Sequence, residues 1–178
     1  MPGALTIFTA SYLVFLEALV AGVLVLSLLY RKPRALLVQW VIACGVMVIA
    51  AYIAAQIGGA LYTAPRPFVV GHFHPLIAHD PDNGFPSDHA LMAAALLAAV
   101  ALARVRWTIV ILPFAVLVGW ARVGAGLHHP IDVVGSDVCV AVGMIVAVLV
   151  APALTSLVLP FVPGRLLDLV AAPEQIIA

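Results

Sequence analysis

Apolar residues run almost unbroken through most of this chain, and polar residues gather in a few short clusters between the runs. Five apolar stretches stand out: roughly Leu5 to Tyr30, Leu36 to Tyr62, His89 to Ala103, Trp107 to Arg122 and Ile131 to Leu159. Such runs exceed strand length, and a helix needs about 20 apolar residues to cross a bilayer. The third and fourth runs are short for that task. The pattern predicts an all-α integral membrane bundle of about five transmembrane helices, a single domain over residues 1–178. Between the second and third runs, Thr63 to Ser87 is rich in Pro, His and Asp, the make-up of an ordered functional loop. Pro160 to Ala178 alternates Leu with polar residues after two early prolines, and reads as an interfacial or frayed tail.

Composition strengthens the membrane reading. Of 178 residues 65% are hydrophobic and 9% charged, against roughly half and a quarter in a soluble domain. The mean hydropathy is +1.21, so lipid is the solvent this chain expects. A net charge of zero, with eight scattered Lys and Arg, excludes a nucleic-acid surface. Cys44 and Cys139 lie inside apolar runs without metal-ligand spacing and read as small buried hydrophobes. The first run has no basic residues before it and no small-residue cleavage site after a short core, so it reads as a retained helix rather than a signal peptide.

Short cytoplasmic loops carry an excess of Lys and Arg. Arg31, Lys32 and Arg34 follow the first run, Arg104 and Arg106 separate the third and fourth, and Arg165 follows the fifth. These ends are expected to face the cytoplasm, giving an N-out, C-in arrangement. The opposite face then holds Arg66 and Arg122 together with all six histidines, His72, His74, His79, His89, His128 and His129. Titratable groups gathered at one face of so apolar a protein signal a functional site.

Three segments there carry chemistry. Arg66-Pro67 lies in the loop, Phe85-Pro86-Ser87-Asp88-His89 leads into the third run, and Arg122 is followed at fixed spacing by His128 and Asp132. Ser87 sits near a helix N-cap with His89 in the first turn, and a helix N-terminus offers N–H groups and positive charge to a phosphate. Pro130 suits the first position of the last helix, which places Asp132 where its carboxylate can reach back to His128 and fix its tautomer. Two guanidinium forks match phosphoryl oxygens. The set suits His128 as nucleophile and His89 as acid and later base, with Arg66, Arg122 and Ser87 holding the phosphoryl oxygens. No zinc signature, Cys-rich pattern or nucleotide loop is present, so no metal or other cofactor is expected.

These segments resemble the three signature motifs of the type-2 phosphatidic acid phosphatase (lipid phosphate phosphatase) superfamily, Lys-x6-Arg-Pro, Pro-Ser-Gly-His and Ser-Arg-x5-His-x3-Asp. The resemblance implies His128 as nucleophile, Asp132 as its partner and His89 as acid. Asp88 in place of the second motif's glycine, with the Asn83-Gly84-Phe85 context, is similar to the bacitracin-resistance-type undecaprenyl-diphosphate phosphatases of bacteria. That implies a plasma-membrane enzyme cleaving a polyprenyl diphosphate at the outer face and recycling a cell-wall carrier lipid. A phosphatidylglycerophosphate or phosphatidate phosphatase is the alternative, as is a non-catalytic lipid-phosphate binder. Two further positions depart from the pattern: Gly59 stands where the family has lysine, and Ala121 where it has serine. His72, His74 and His79 are all candidates for the missing cation, with His79 and Asp88 taken as accessory site residues. Glu17, mid-helix, must be paired, protonated or facing a cavity. Asp137, just beyond Asp132, reads as support for it.

Overall fold

A computed structural model describes residues 2–162 of the chain. The expected tail lies almost wholly outside the described residues. Five long helices form: α1 (Pro2–Leu29), α2 (Arg34–Leu61), α4 (Asp88–Arg104), α5 (Thr108–Gly124) and α6 (Pro130–Val158). They match the five apolar runs to within a few residues, and among the described residues there is no strand. α3 (Pro67–Val70), a single turn inside the polar loop, has no sequence counterpart in the apolar pattern. The molecule is thus a multi-pass membrane helix bundle.

α4 and α5 read through as one apolar span of 37 residues, yet they form an antiparallel hairpin. Arg104 takes an extended conformation (φ −169°, ψ 105°) and a 3-10 turn over Val105–Trp107 reverses the chain. Each arm has 17 residues, about 26 Å of helix, while the 28 residues of α1 make about 42 Å.

Small residues let the helices approach closely, as expected where lipid supplies no hydrophobic drive. α2 meets α6 along Ala43, Met47 and Ala51 against Val140, Ala147 and Ala151. A Cβ on Gly143 would collide with the Met47 carbonyl. α4 is central and packs on α1, α2, α5 and α6. Its contacts with α1 and α5 run through Leu13, Val14, Ala93 and Val118, then Ala21, Val25, Val100 and Ile111. Glu17 lies between these clusters on α1, fully buried, and neither carboxylate oxygen has a hydrogen-bond partner among the described residues.

The two ends of the bundle differ in charge. Lys32 and Arg104 line one crevice with Trp40, whose indole N–H donates to the Ala99 carbonyl at 3.0 Å. The α1–α2 loop and the α4–α5 turn, with their five basic residues, therefore share one end. At the other end gather the C-terminus of α2, the N-termini of α4 and α6, and the C-terminus of α5. α1 passes that level at Ala10, whose carbonyl accepts from Arg122. Eight residues of α1 precede Ala10, so its N-terminus rises about 12 Å beyond the site.

Candidate active site

The loop between α3 and α4 is pinned by Asn83. Its Nδ2 donates to the carbonyls of Gly59 (2.9 Å) and Tyr62 (3.2 Å), and its Oδ1 accepts from Ala64 N (2.9 Å) and Phe85 N (3.1 Å). Gly84 N donates to the Ala64 carbonyl at 2.8 Å. This short antiparallel pairing lays residues 64–66 against 82–84 and brings Arg66, N-cap of α3, beside Asp82. Gly59, where the resemblance expects lysine, backs directly onto this loop: a Cβ there would stand 3.1 Å from the Phe85 carbonyl.

α4 starts as its sequence predicts, with Ser87 at the N-cap and Asp88 and His89 in the first turn. The Ser87 hydroxyl makes no cap hydrogen bond, and its Oγ is buried without a partner among the described residues. α6 starts at Pro130, and Asp132 Oδ2 accepts from His129 N at 2.8 Å, which satisfies a free helix-end N–H. The two helix starts are tied together. Ser87 N donates to the Asp132 carbonyl (3.2 Å), and the buried Ser136 hydroxyl bridges the carbonyls of Ser87 (2.8 Å) and Asp132 (3.0 Å).

Between these ends lies His128, 3% exposed. Its Nδ1 is 2.9 Å from the Gly84 carbonyl, an acceptor only, so Nδ1 carries the proton and Nε2 the lone pair. Here the expectation from spacing needs amendment. Asp132 Oδ2 stands farther from Nδ1, at 3.5 Å, because it caps His129, and Gly84 provides the shorter bond that fixes the tautomer.

Two arginines converge on the other ring nitrogen. Arg66 reaches Nε2 at 3.3 Å and Arg122 at 3.4 Å. Each guanidinium is braced behind: Arg66 by the Asp82 carboxylate (2.7 Å) and the Leu127 carbonyl (3.1 Å), Arg122 by the Ala10 carbonyl (3.3 Å). Arg66 holds the Asp82 carboxyl below its usual range. Burial, reinforced by Arg122 and then Arg66, pushes the His128 imidazole down to about 3. The ring is therefore a neutral base at physiological pH, with its lone pair directed between two fixed cations. An oxyanion in front of Nε2 would meet both guanidinium groups.

Of the residues picked out from the sequence, Arg66, Ser87, Arg122, His128 and Asp132 are brought together and all are buried. His89 is half-buried at the α4 start, with no side-chain hydrogen bond or ion pair among the described residues, and Asp88 is exposed beside it. His79 sits at the rim, its ring 29% exposed and 3.9 Å from Asp82. Asp137 lies instead in an apolar cavity of about 590 Å³ between α4, α5 and α6, which starts at Ala90 and Val133, next to His89 and Asp132, and runs down to Thr108 and Met144. Two residues with structural parts in the site, Asp82 and Ser136, escaped the sequence reading, and Asn83 and Gly84 entered it only as context of the resemblance, without a role. Ser136 had a signal, since it follows Asp132 by four residues and shares its helix face.

The PAP2 superfamily matches residues 39–156. The chain is 35% identical over 130 residues to the undecaprenyl-diphosphatase BcrC of Bacillus subtilis, covering 71% of this chain and 66% of that one. It is 31% identical over 133 residues to the putative undecaprenyl-diphosphatase YbjG of Escherichia coli, covering 74% and 65%. With the lipid A 1-phosphatase of Rhizobium johnstonii it shares 32% over 124 residues, 64% of this chain and 49% of that one. The match thus spans just under two thirds of the first two relatives and about half of the third. No solved structure matches it. The superfamily match takes in both starts of α4 and α6, the arginines and the buried histidine: this chain belongs to the PAP2 superfamily and is similar within it to BcrC-type enzymes.

Proposed function

We propose that the protein is a lipid phosphatase that hydrolyses a polyprenyl diphosphate, such as undecaprenyl diphosphate, to the monophosphate. The observation that carries the reading is the state of His128: a neutral ring with its lone pair held between Arg66 and Arg122. His128 Nε2 attacks the terminal phosphorus, a P–N bond forms, and the bond to the bridging oxygen breaks. His89 supplies the proton to that leaving oxygen. Water, deprotonated by the same His89, then cleaves the phosphohistidine, and the arginines, Ser87 and the α4 N–H groups hold the phosphoryl oxygens throughout. Asp132 supports the positive charge that grows on the His128 ring. Protein groups and water fill every role in this scheme, which needs no metal.

Two further observations support a lipid substrate. The cavity between α4, α5 and α6 adjoins the site and offers an apolar channel to a hydrocarbon chain. The relatives named above act, by their names, on undecaprenyl diphosphate and lipid A. The charge difference between the bundle ends supports a plasma-membrane protein with the site on the extracytoplasmic face, N-out and C-in. Turnover there returns a carrier lipid to cell-wall synthesis.

The test is phosphate release by the purified protein in detergent with EDTA present, from undecaprenyl diphosphate and from phosphatidate side by side. Release is expected chiefly from the diphosphate, with none from His128→Ala and a loss of about 10² to 10⁴ fold in His89→Ala. Preferential release from phosphatidate would shift the substrate to a monophosphate lipid. An EDTA loss restored by a divalent ion would refute the metal-free scheme.

A further inference from the structure

A diphosphate brings two phosphates to a site whose buried donors are few. Arg66 has Nε on Asp82 and one terminal nitrogen on the Leu127 carbonyl, and Arg122 has one on the Ala10 carbonyl. At His128 Nε2 stand Arg66 Nη1, which also donates to the Leu127 carbonyl, and Arg122 Nη2, a set matched to one phosphoryl group. A second phosphate, joined through a bridging oxygen, must find its countercharge farther out.

One line of polar side chains leads there. From His128 it passes to Arg66 at 3.3 Å, from Arg66 to Asp82 at 2.7 Å, and from Asp82 to His79 at 3.9 Å. Exposure is 3% at the His128 side chain and 6% at Arg66, then 60% at Asp82 and 29% at His79, so the outer pair stands at the open mouth of the site. The position of His79 at the end of the line is set by its own segment and by the shared carboxylate. Its field reaches His128 as well, adding to the effects of the two arginines on that ring. His72 and His74, also in this loop, make no such connection among the described residues and lie open to solvent.

We propose that His79, held beside Arg66 through their shared Asp82, forms an outer oxyanion subsite that binds the second phosphate of the substrate, the one that leaves with the lipid. This rests on the diphosphatase reading above and makes His79 a residue that separates diphosphates from monophosphates. A protonated imidazole donates from both ring nitrogens, so one can face Asp82 while the other faces a phosphate oxygen. Asp82 aligns Arg66 from the same side, so a single carboxylate organises the inner and the outer subsite.

The probes are farnesyl diphosphate as substrate and inorganic phosphate, which needs the inner subsite alone, as competitive inhibitor. In His79→Ala the KM for the diphosphate is expected to rise about tenfold while the inhibition constant of phosphate stays within about twofold. In His79→Lys, which keeps a cation at that place, KM is expected within about threefold of the wild type. An unchanged KM in His79→Ala overturns the subsite, and so does a phosphate inhibition constant that rises in step with KM, the mark of a general disturbance. In both cases release from the diphosphate by the wild type leaves the diphosphatase reading standing. No release by the wild type ends that reading and the subsite with it.

Discussion

His128 illustrates how much the state of one side chain depends on what surrounds it. Buried between two arginines, it titrates near 3 instead of its ordinary value of 6.5, so the native state takes up fewer protons than the unfolded chain below that ordinary value. The sign is that of a depressed group. Its contribution to stability is complete above about pH 6.5 and is lost as the pH falls toward 3. For activity the consequence is that the nucleophile is ready without first losing a proton. In protein carrying ¹³C-labelled histidine rings, the His128 signals are expected to stay flat from about pH 8 to 5 in the absence of phosphate. A midpoint near 6.5 would mean that the ring is solvated and the guanidinium cage looser than described.

At the scale of elements, the site depends on two helix starts being locked to each other. Ser136 ties the starts of α4 and α6 by hydrogen bonds, and the Phe85 ring packs onto α6 at Gly135, where a Cβ would collide with it. The neighbouring Gly84 carbonyl is the one that sets the His128 tautomer, so displacing Phe85 displaces the proton arrangement of the nucleophile. Gly135→Ala is accordingly expected to cost about 1–3 kcal/mol of stability and to lower kcat in the fraction that remains folded. Gly143→Ala, which collides with Met47 far down the α2–α6 seam, is expected to lower the melting temperature while leaving kcat of the folded enzyme near normal. Comparable kcat values in the two variants would separate the Phe85 contact from catalysis.

At the scale of the whole molecule, five helices of unequal length leave the site recessed beside a taller α1, at the end of the bundle opposite the basic loops. If that end is extracytoplasmic, an exposed position in the loop becomes reachable from outside the cell. With Cys44 and Cys139 replaced by alanine, an Asp80→Cys variant is expected to react with a membrane-impermeant maleimide on intact cells. Labelling confined to inside-out vesicles would reverse the topology. The cavity between α4, α5 and α6 belongs to this scale too, because it exists where two short helices pack beside a longer one and carries no local signature in the chain.

The five helices were legible in the sequence because a bilayer demands long apolar runs, and hydropathy is a property of residues in order along the chain. The helix starts at Ser87 and Pro130 were equally legible, since N-cap and first-turn preferences act over three or four residues. So were Arg66, Arg122, His128 and Asp132, whose motif spacing and charge in an apolar chain left them few structural uses. Tertiary structure alone decided which oxygen holds the His128 proton: the answer is the carbonyl of Gly84, 44 residues away, and a backbone carbonyl has no identity in a sequence. It also decided that Asp82 braces Arg66 and that Gly59 lies against the Phe85 carbonyl. Contacts of that kind depend on where distant segments come to rest, and no local preference encodes them.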